Sequence, residues 1–177
     1  GTEFSVALGY SGLAIMGLQF GLTARFRHVT EPWGEDVIYH FHRRISLLAV
    51  GLVVLHPTIL FVIGSKNLAL PDPIWALPLG AVFAGISLVS LLVLVVTALW
   101  RTRLKISYEA WHLSHIVLAV TAITTGLLHM VAWGFYLEDP WKRGLWMGMA
   151  AFWVVLLLYV RLIKPLFMLR RPYRIVE

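Results

Sequence analysis

Five long apolar runs govern what this chain can become. Ser5 to Ala24, Ile45 to Gly64, Ile74 to Trp100, Leu113 to Trp133 and Leu145 to Ile163 are nearly free of charge. Each reaches or approaches the roughly 20 residues that a helix needs to cross a bilayer. Together they make 59% of the 177 residues apolar and raise the mean hydropathy to +0.80. A soluble domain keeps its apolar share nearer one half and breaks it into short periodic stretches. A β-barrel needs short segments of strict alternation, and the sequence has none. A signal peptide is one short apolar stretch, not five. The expected fold is therefore all-α, an integral membrane bundle of about five transmembrane helices.

The net charge of +6 follows the same layout. Five spans place the connecting segments alternately on two sides. Twelve of the fifteen Lys and Arg residues fall on one side, among them Arg43, Arg44, Arg101, Arg103, Lys105 and Lys164; Lys66, Lys142 and Arg143 fall on the other. Basic residues collect at the cytoplasmic face, so the C-terminus is expected inside and the N-terminus outside. A bacterial inner (plasma) membrane suits this pattern, and nucleic acid is not needed to explain the charge. The chain has no cysteine, which excludes disulfides, iron–sulfur clusters, thiolate-ligated heme and covalently attached heme. Any metal centre must rest mainly on histidine.

The histidines are regularly placed. Fourteen residues separate His42 from His56, and fourteen separate His115 from His129. At about 1.5 Å per residue the two members of each pair stand about 21 Å apart along a helix. At roughly 100° per residue the interval falls about 40° short of four turns, so both share one face. A single span lies between these two helices, so they run in the same direction. His42 then matches His115 in height, toward the cytoplasm, and His56 matches His129, toward the outside. Two histidines facing each other across a bundle can supply both axial ligands of a heme iron. Two such pairs predict two stacked b hemes, with iron ligated by His42, His115, His56 and His129. Arg43 and Arg44 adjoin His42, where they can meet heme propionates, although the charge bias alone would also put arginine there. His28 and His40 read as solvated or interfacial, and His112, one turn from His115, can reach a propionate. The competing explanation for histidine within a span is proton relay or helix–helix hydrogen bonding. Acidic residues confined to loops and helix ends count against a proton channel or transporter.

The segments "LTARFRHVTEPWGEDVIYHFHRRISLLAVGLVVLHP" and "YEAWHLSHIVLAVTAITTGLLHM" resemble the ferric-reductase-like transmembrane domain. This family includes the NADPH oxidases and iron reductases. The resemblance implies an electron wire: a cytosolic module takes hydride from NAD(P)H onto FAD, and single electrons pass through the inner and then the outer heme. The acceptor is expected to be extracytoplasmic, either oxygen or ferric iron. Partners are then membrane lipid and a flavin/NAD(P)H dehydrogenase domain or subunit. Without such a domain the chain is not active with NAD(P)H. A second redox reading is a heme subunit that feeds a separate periplasmic reductase. Superoxide-producing members carry a histidine one turn after the outer ligand where this chain has Leu60, so superoxide is less secured than electron transfer.

Family members of this type usually have six spans, so a first helix is expected to be missing here. The opening "GTEF" is what adjacent KpnI and EcoRI sites encode, and residues 1–4 read as a cloning scar. The heme domain is then expected over 5–165. A cytosolic tail over 166–177, ending "RPYRIVE", leads toward a flavin-binding domain absent from this sequence. Ala122, at the midpoint of the second histidine stripe, offers no aromatic stepping stone between hemes.

Overall fold

A computed structural model describes residues 1–23, 34–64 and 78–170. Within them all regular structure is helical: α1 (Thr2–Thr23), α2 (Glu35–Gly64), α3 (Leu79–Trp100), α4 (Tyr108–Trp133), α5 (Pro140–Leu158) and α6 (Lys164–Arg170). The first five are long and apolar enough to cross a membrane. Helices are the expected solution, because hydrocarbon offers no partner for a bare backbone amide and a helix satisfies every one internally.

Local chemistry sets the ends. Ser107 caps α4, accepting from the Ala110 amide at 3.3 Å. Gly134 closes the same helix in the left-handed region at φ 60, and its N–H donates to the Met130 carbonyl at 3.2 Å. Pro140 opens α5, where its missing N–H costs nothing. A π-helical turn, Tyr159–Ile163, links α5 to α6 just ahead of Pro165. Such a turn re-registers the backbone before a residue that cannot donate to it.

Apolar runs understate three of these helices. The second span was expected from Ile45, yet α2 starts at Glu35, and its first turns carry His40, His42, Arg43 and Arg44. The fourth starts at Tyr108 rather than Leu113, and the fifth at Pro140 rather than Leu145. Helices extend beyond the hydrocarbon into the interface, where polar side chains are welcome, so hydropathy alone clips them. At the beginning, Thr2 to Phe4 continue α1, and at the other end the helical backbone runs past 165 to Arg170. His28, the polar segment over 24–33, the connection over 65–77 and the tail over 171–177 lie outside the described residues.

The packing pairs antiparallel neighbours. α1 lies along α2 and α3 lies along α4, and α1 also touches α4 and α5. α1 is the inner helix, with Ser5, Leu13, Met16 and Gln19 buried. They join Ala49, Leu91, Ala122, Ile123, Met130 and Trp153 in or beside one core. Small residues permit this closeness. A Cβ on Gly12 would meet the Ala49 carbonyl at 3.0 Å and the Val53 side chain at 2.6 Å, and one on Gly17 would run into the Trp153 ring. Between α3 and α4, the Ser87 hydroxyl donates to the Ala122 carbonyl at 2.7 Å. Outside, the helices present Val89, Val117, Val131, Phe152, Val155 and many similar side chains. On a soluble surface such a belt would be a liability, and against lipid it is the correct solvent match.

The basic residues separate along the bundle axis. Arg43, Arg44, Arg101, Arg103, Lys105 and Lys164 occupy one end. Lys142, paired with Asp139, and Arg143 lie at the other.

Candidate functional site

α2 and α4 bring His56 and His129 together at one end and carry His42 and His115 at the other. At the end away from the arginines, the rings of His56 and His129 have centroids 6.4 Å apart with planes inclined at 62°. At the arginine-rich end, His42 and His115 lie within electrostatic reach of each other. All four are half-buried. Of the two pairings expected from the fourteen-residue spacing, the ring contact between His56 and His129 is present in the fold.

Each pair has a second layer of contacts. His56 Nδ1–H donates to the Ser5 carbonyl at 2.9 Å, while the Ser5 hydroxyl lies 3.1 Å from the same nitrogen and donates to the His56 carbonyl at 2.7 Å. His129 Nδ1–H donates to the Gly80 carbonyl at 2.8 Å. His42 Nδ1–H donates to Gln19 Oε1 at 2.8 Å. An acceptor at Nδ1 holds the proton there and leaves the lone pair on Nε2, the state a metal-binding imidazole requires. His115 differs: its Nδ1 and the neighbouring Trp111 Nε1 are buried without a hydrogen-bond partner.

The donor set indicates which group could fit. Among the described residues no cluster of three or more His, Cys, Asp or Glu side chains could hold a metal ion. A pair of imidazoles suits an iron whose other four positions come from a macrocycle rather than from protein. The ring centroids of His56 and His129, 6.4 Å apart, leave these two residues placed to hold one such group between them.

The other sequence candidates sort clearly. Arg43 and Arg44 are exposed. His40 is exposed and its ring bonds the Asp36 carbonyl one turn back. His112 is exposed and stacks on Tyr108, centroids 5.8 Å apart and planes within 8°. One cation that the sequence pattern does not single out reaches the histidine cluster through ring contacts. Arg101 lies 5.5 Å over the Trp111 ring, and Trp111 packs 5.4 Å from His115.

Ser5, Gln19 and Gly80 were also missed. A signal for the first two was present. Gln19 is an amide inside an apolar span, and it stands fourteen residues from Ser5, the same interval that separates His42 from His56. On an antiparallel neighbour, that equality brings Ser5 opposite His56 and Gln19 opposite His42. Gly80 contributes only its backbone, which no sequence pattern announces.

Fold and site together define an integral membrane helical bundle whose second and fourth helices each carry two histidines at two levels. The family described as "Ferric reductase like transmembrane component" matches residues 8–126, a stretch that includes His42, His56 and His115 and stops three residues before His129. The chain belongs to this ferric-reductase-like transmembrane family. It is also 32% identical over 167 residues to an uncharacterized protein of Archaeoglobus fulgidus, an alignment covering 89% of this chain and 86% of that one. No solved structure matches.

Proposed function

We propose that this domain carries electrons across the membrane through two b hemes, one held by His42 and His115 and the other by His56 and His129. A heme supplies a one-electron iron couple, so its chemistry needs no acid or base from the protein. What the chain contributes is position and environment. In three of the four imidazoles an acceptor from Ser5, Gln19 or Gly80 holds the proton at Nδ1 and so leaves the Nε2 lone pair free for a metal. The apolar helices exclude water and lower the local dielectric, which together with axial ligation sets the potentials. The fourteen-residue interval keeps the two sites about 21 Å apart along the helix axis.

The single observation that carries this reading is the facing His56 and His129, each with Nδ1 bonded to a carbonyl. Membership in the ferric-reductase-like family supports the same function. On that footing the donor is a cytosolic NAD(P)H/FAD reductase domain or subunit, the arginine-rich end faces the cytoplasm, and the acceptor outside is oxygen or ferric iron.

The test is a dithionite-reduced minus oxidised visible spectrum of the purified chain, with heme quantified per polypeptide. A sharp low-spin b-type band at about two hemes per chain is the expected result. A colourless protein from heme-supplied cells sinks the proposal and moves the histidines to a proton-relay role.

A further inference from the structure

The two histidine pairs are not held alike. At the His56/His129 level both acceptors are main-chain carbonyls, those of Ser5 and Gly80. At the arginine-rich level one acceptor is a side chain, Gln19, and the other imidazole, His115, has none. The Gln19 amide is itself fixed. Its Nε2–H donates to the Ile15 carbonyl at 3.3 Å, which settles which end of the amide is oxygen, and the Ser46 hydroxyl donates to Oε1 at 3.4 Å. Gln19 is 8% exposed, one turn from the C-terminal end of a packed helix. An amide held so in an apolar span is expensive unless its partners use it.

We infer that Gln19 is a positioning residue that sets the reduction potential of the His42/His115 site and not of the other. The inference rests on the di-heme reading. An acceptor at Nδ1 makes an imidazole more basic toward its metal. Extra electron donation favours ferric over ferrous iron, so the acceptor lowers the potential. Hydrogen bonding around the ligands is one of the few means a protein has for this. Because Gln19 touches His42 alone among the four histidines, its influence stays at one level. Main-chain carbonyls hold the other level, where substitution cannot remove them.

The experiment is a potentiometric titration of the full chain, followed in the b-type band, for the wild type and for Gln19→Leu and Gln19→Glu. Gln19→Leu removes the acceptor at similar volume. One of the two components should rise by about tenfold in its ferrous preference, which for one electron reads as about 59 mV, and the other should stay. Gln19→Glu, titrated near pH 9 so that even a buried carboxyl ionises, should lower the same component. In a His129→Ala background, where only the arginine-rich site remains, both substitutions should move the single remaining component in these directions. Gln19→Leu with both components unmoved overturns the inference, and so do both components shifting together or Gln19→Glu failing to lower a component. If Gln19→Leu loses heme, Gln19→Glu decides alone. A wild-type chain without two hemes is a different failure, since it removes the di-heme reading before Gln19 is tested.

Discussion

Gly12 is where the helix bearing the acceptors meets the helix bearing the ligands, and replacing it with valine tests that contact. A Cβ at this position would lie 3.0 Å from the Ala49 carbonyl, 3.2 Å from the Val53 amide nitrogen and 2.6 Å from a Val53 methyl. Ordinary contact begins at 3.4 Å, so the backbone of α2 would have to retreat by about 0.4 Å for the Cβ alone, before valine's own methyls are placed. Two helices packed along their length move as rods, so the same displacement reaches both histidines. The Gln19–His42 and Ser5–His56 bonds, now 2.8 and 2.9 Å, would stretch to about 3.2 and 3.3 Å, the far edge of useful geometry. Overpacking of this kind costs about 3 kcal/mol. For a chain of this size that corresponds to a melting temperature lower by about 6–12 °C. Gly51→Val is the control, because a Cβ at Gly51 meets nothing within 4 Å, and it should stay within about 0.5 kcal/mol. The assay is thermal unfolding in detergent monitored by size-exclusion fluorescence, with heme retention measured on the same samples. Equal melting of Gly12→Val and Gly51→Val would show that α1 does not seat against α2 in this way.

Three further outcomes are expected. His42→Leu and His129→Leu should each remove one heme and leave the other's band in place, as read by pyridine hemochrome per chain; loss of both from either variant would contradict two independent sites. Ser107→Ala removes the cap of α4 and should cost about 1 kcal/mol in a denaturation curve, whereas Ser107→Asp should cost little. Tyr136 lies between spans, and desolvation together with the hydrogen-bonded Glu3 carboxylate raises its phenol above the ordinary value of 10.0. A raised value means that its contribution is complete below pH 10.0 and is lost as pH climbs through the folded-state value. Glu3→Gln should move the 295 nm titration of that phenol downward, and an unchanged curve would disprove the contact.

The sequence displayed the frame of the site because cost made it visible. Histidine is expensive within an apolar span, so four at a repeated interval stand out, and the helical period alone pairs them by height. Five spans were legible for a similar reason: hydrocarbon tolerates few alternatives to a long apolar helix. What could not be read was whatever depends on which helices touch. That α1 is the inner helix, and that Gly80 offers its carbonyl to His129, follows from packing between segments, and no local pattern encodes it. Gln19 was an intermediate case, present as an anomaly but uninterpretable until α1 was known to run against α2. Arg43 and Arg44 drew attention by adjacency in sequence. Arg101 instead reaches the histidine cluster through Trp111, a route visible only in three dimensions.

The strongest packing in the bundle lies within two hairpins, α1 with α2 and α3 with α4, and each hairpin carries one imidazole of each pair. The three Nδ1 acceptors follow the same division: Ser5 and Gln19 serve the first hairpin, and Gly80 serves the second. Each half can therefore orient its own rings before the halves meet, but neither can clamp an iron by itself. Under the di-heme reading the cofactors act as two bolts through a clasp. On that reading they would add a second join between halves that already meet in one core but pack more closely within each hairpin than across. Mechanical integrity and conductivity would then weaken together, so a poorly loaded chain would present to quality control as two loosely joined hairpins rather than as a finished but silent wire.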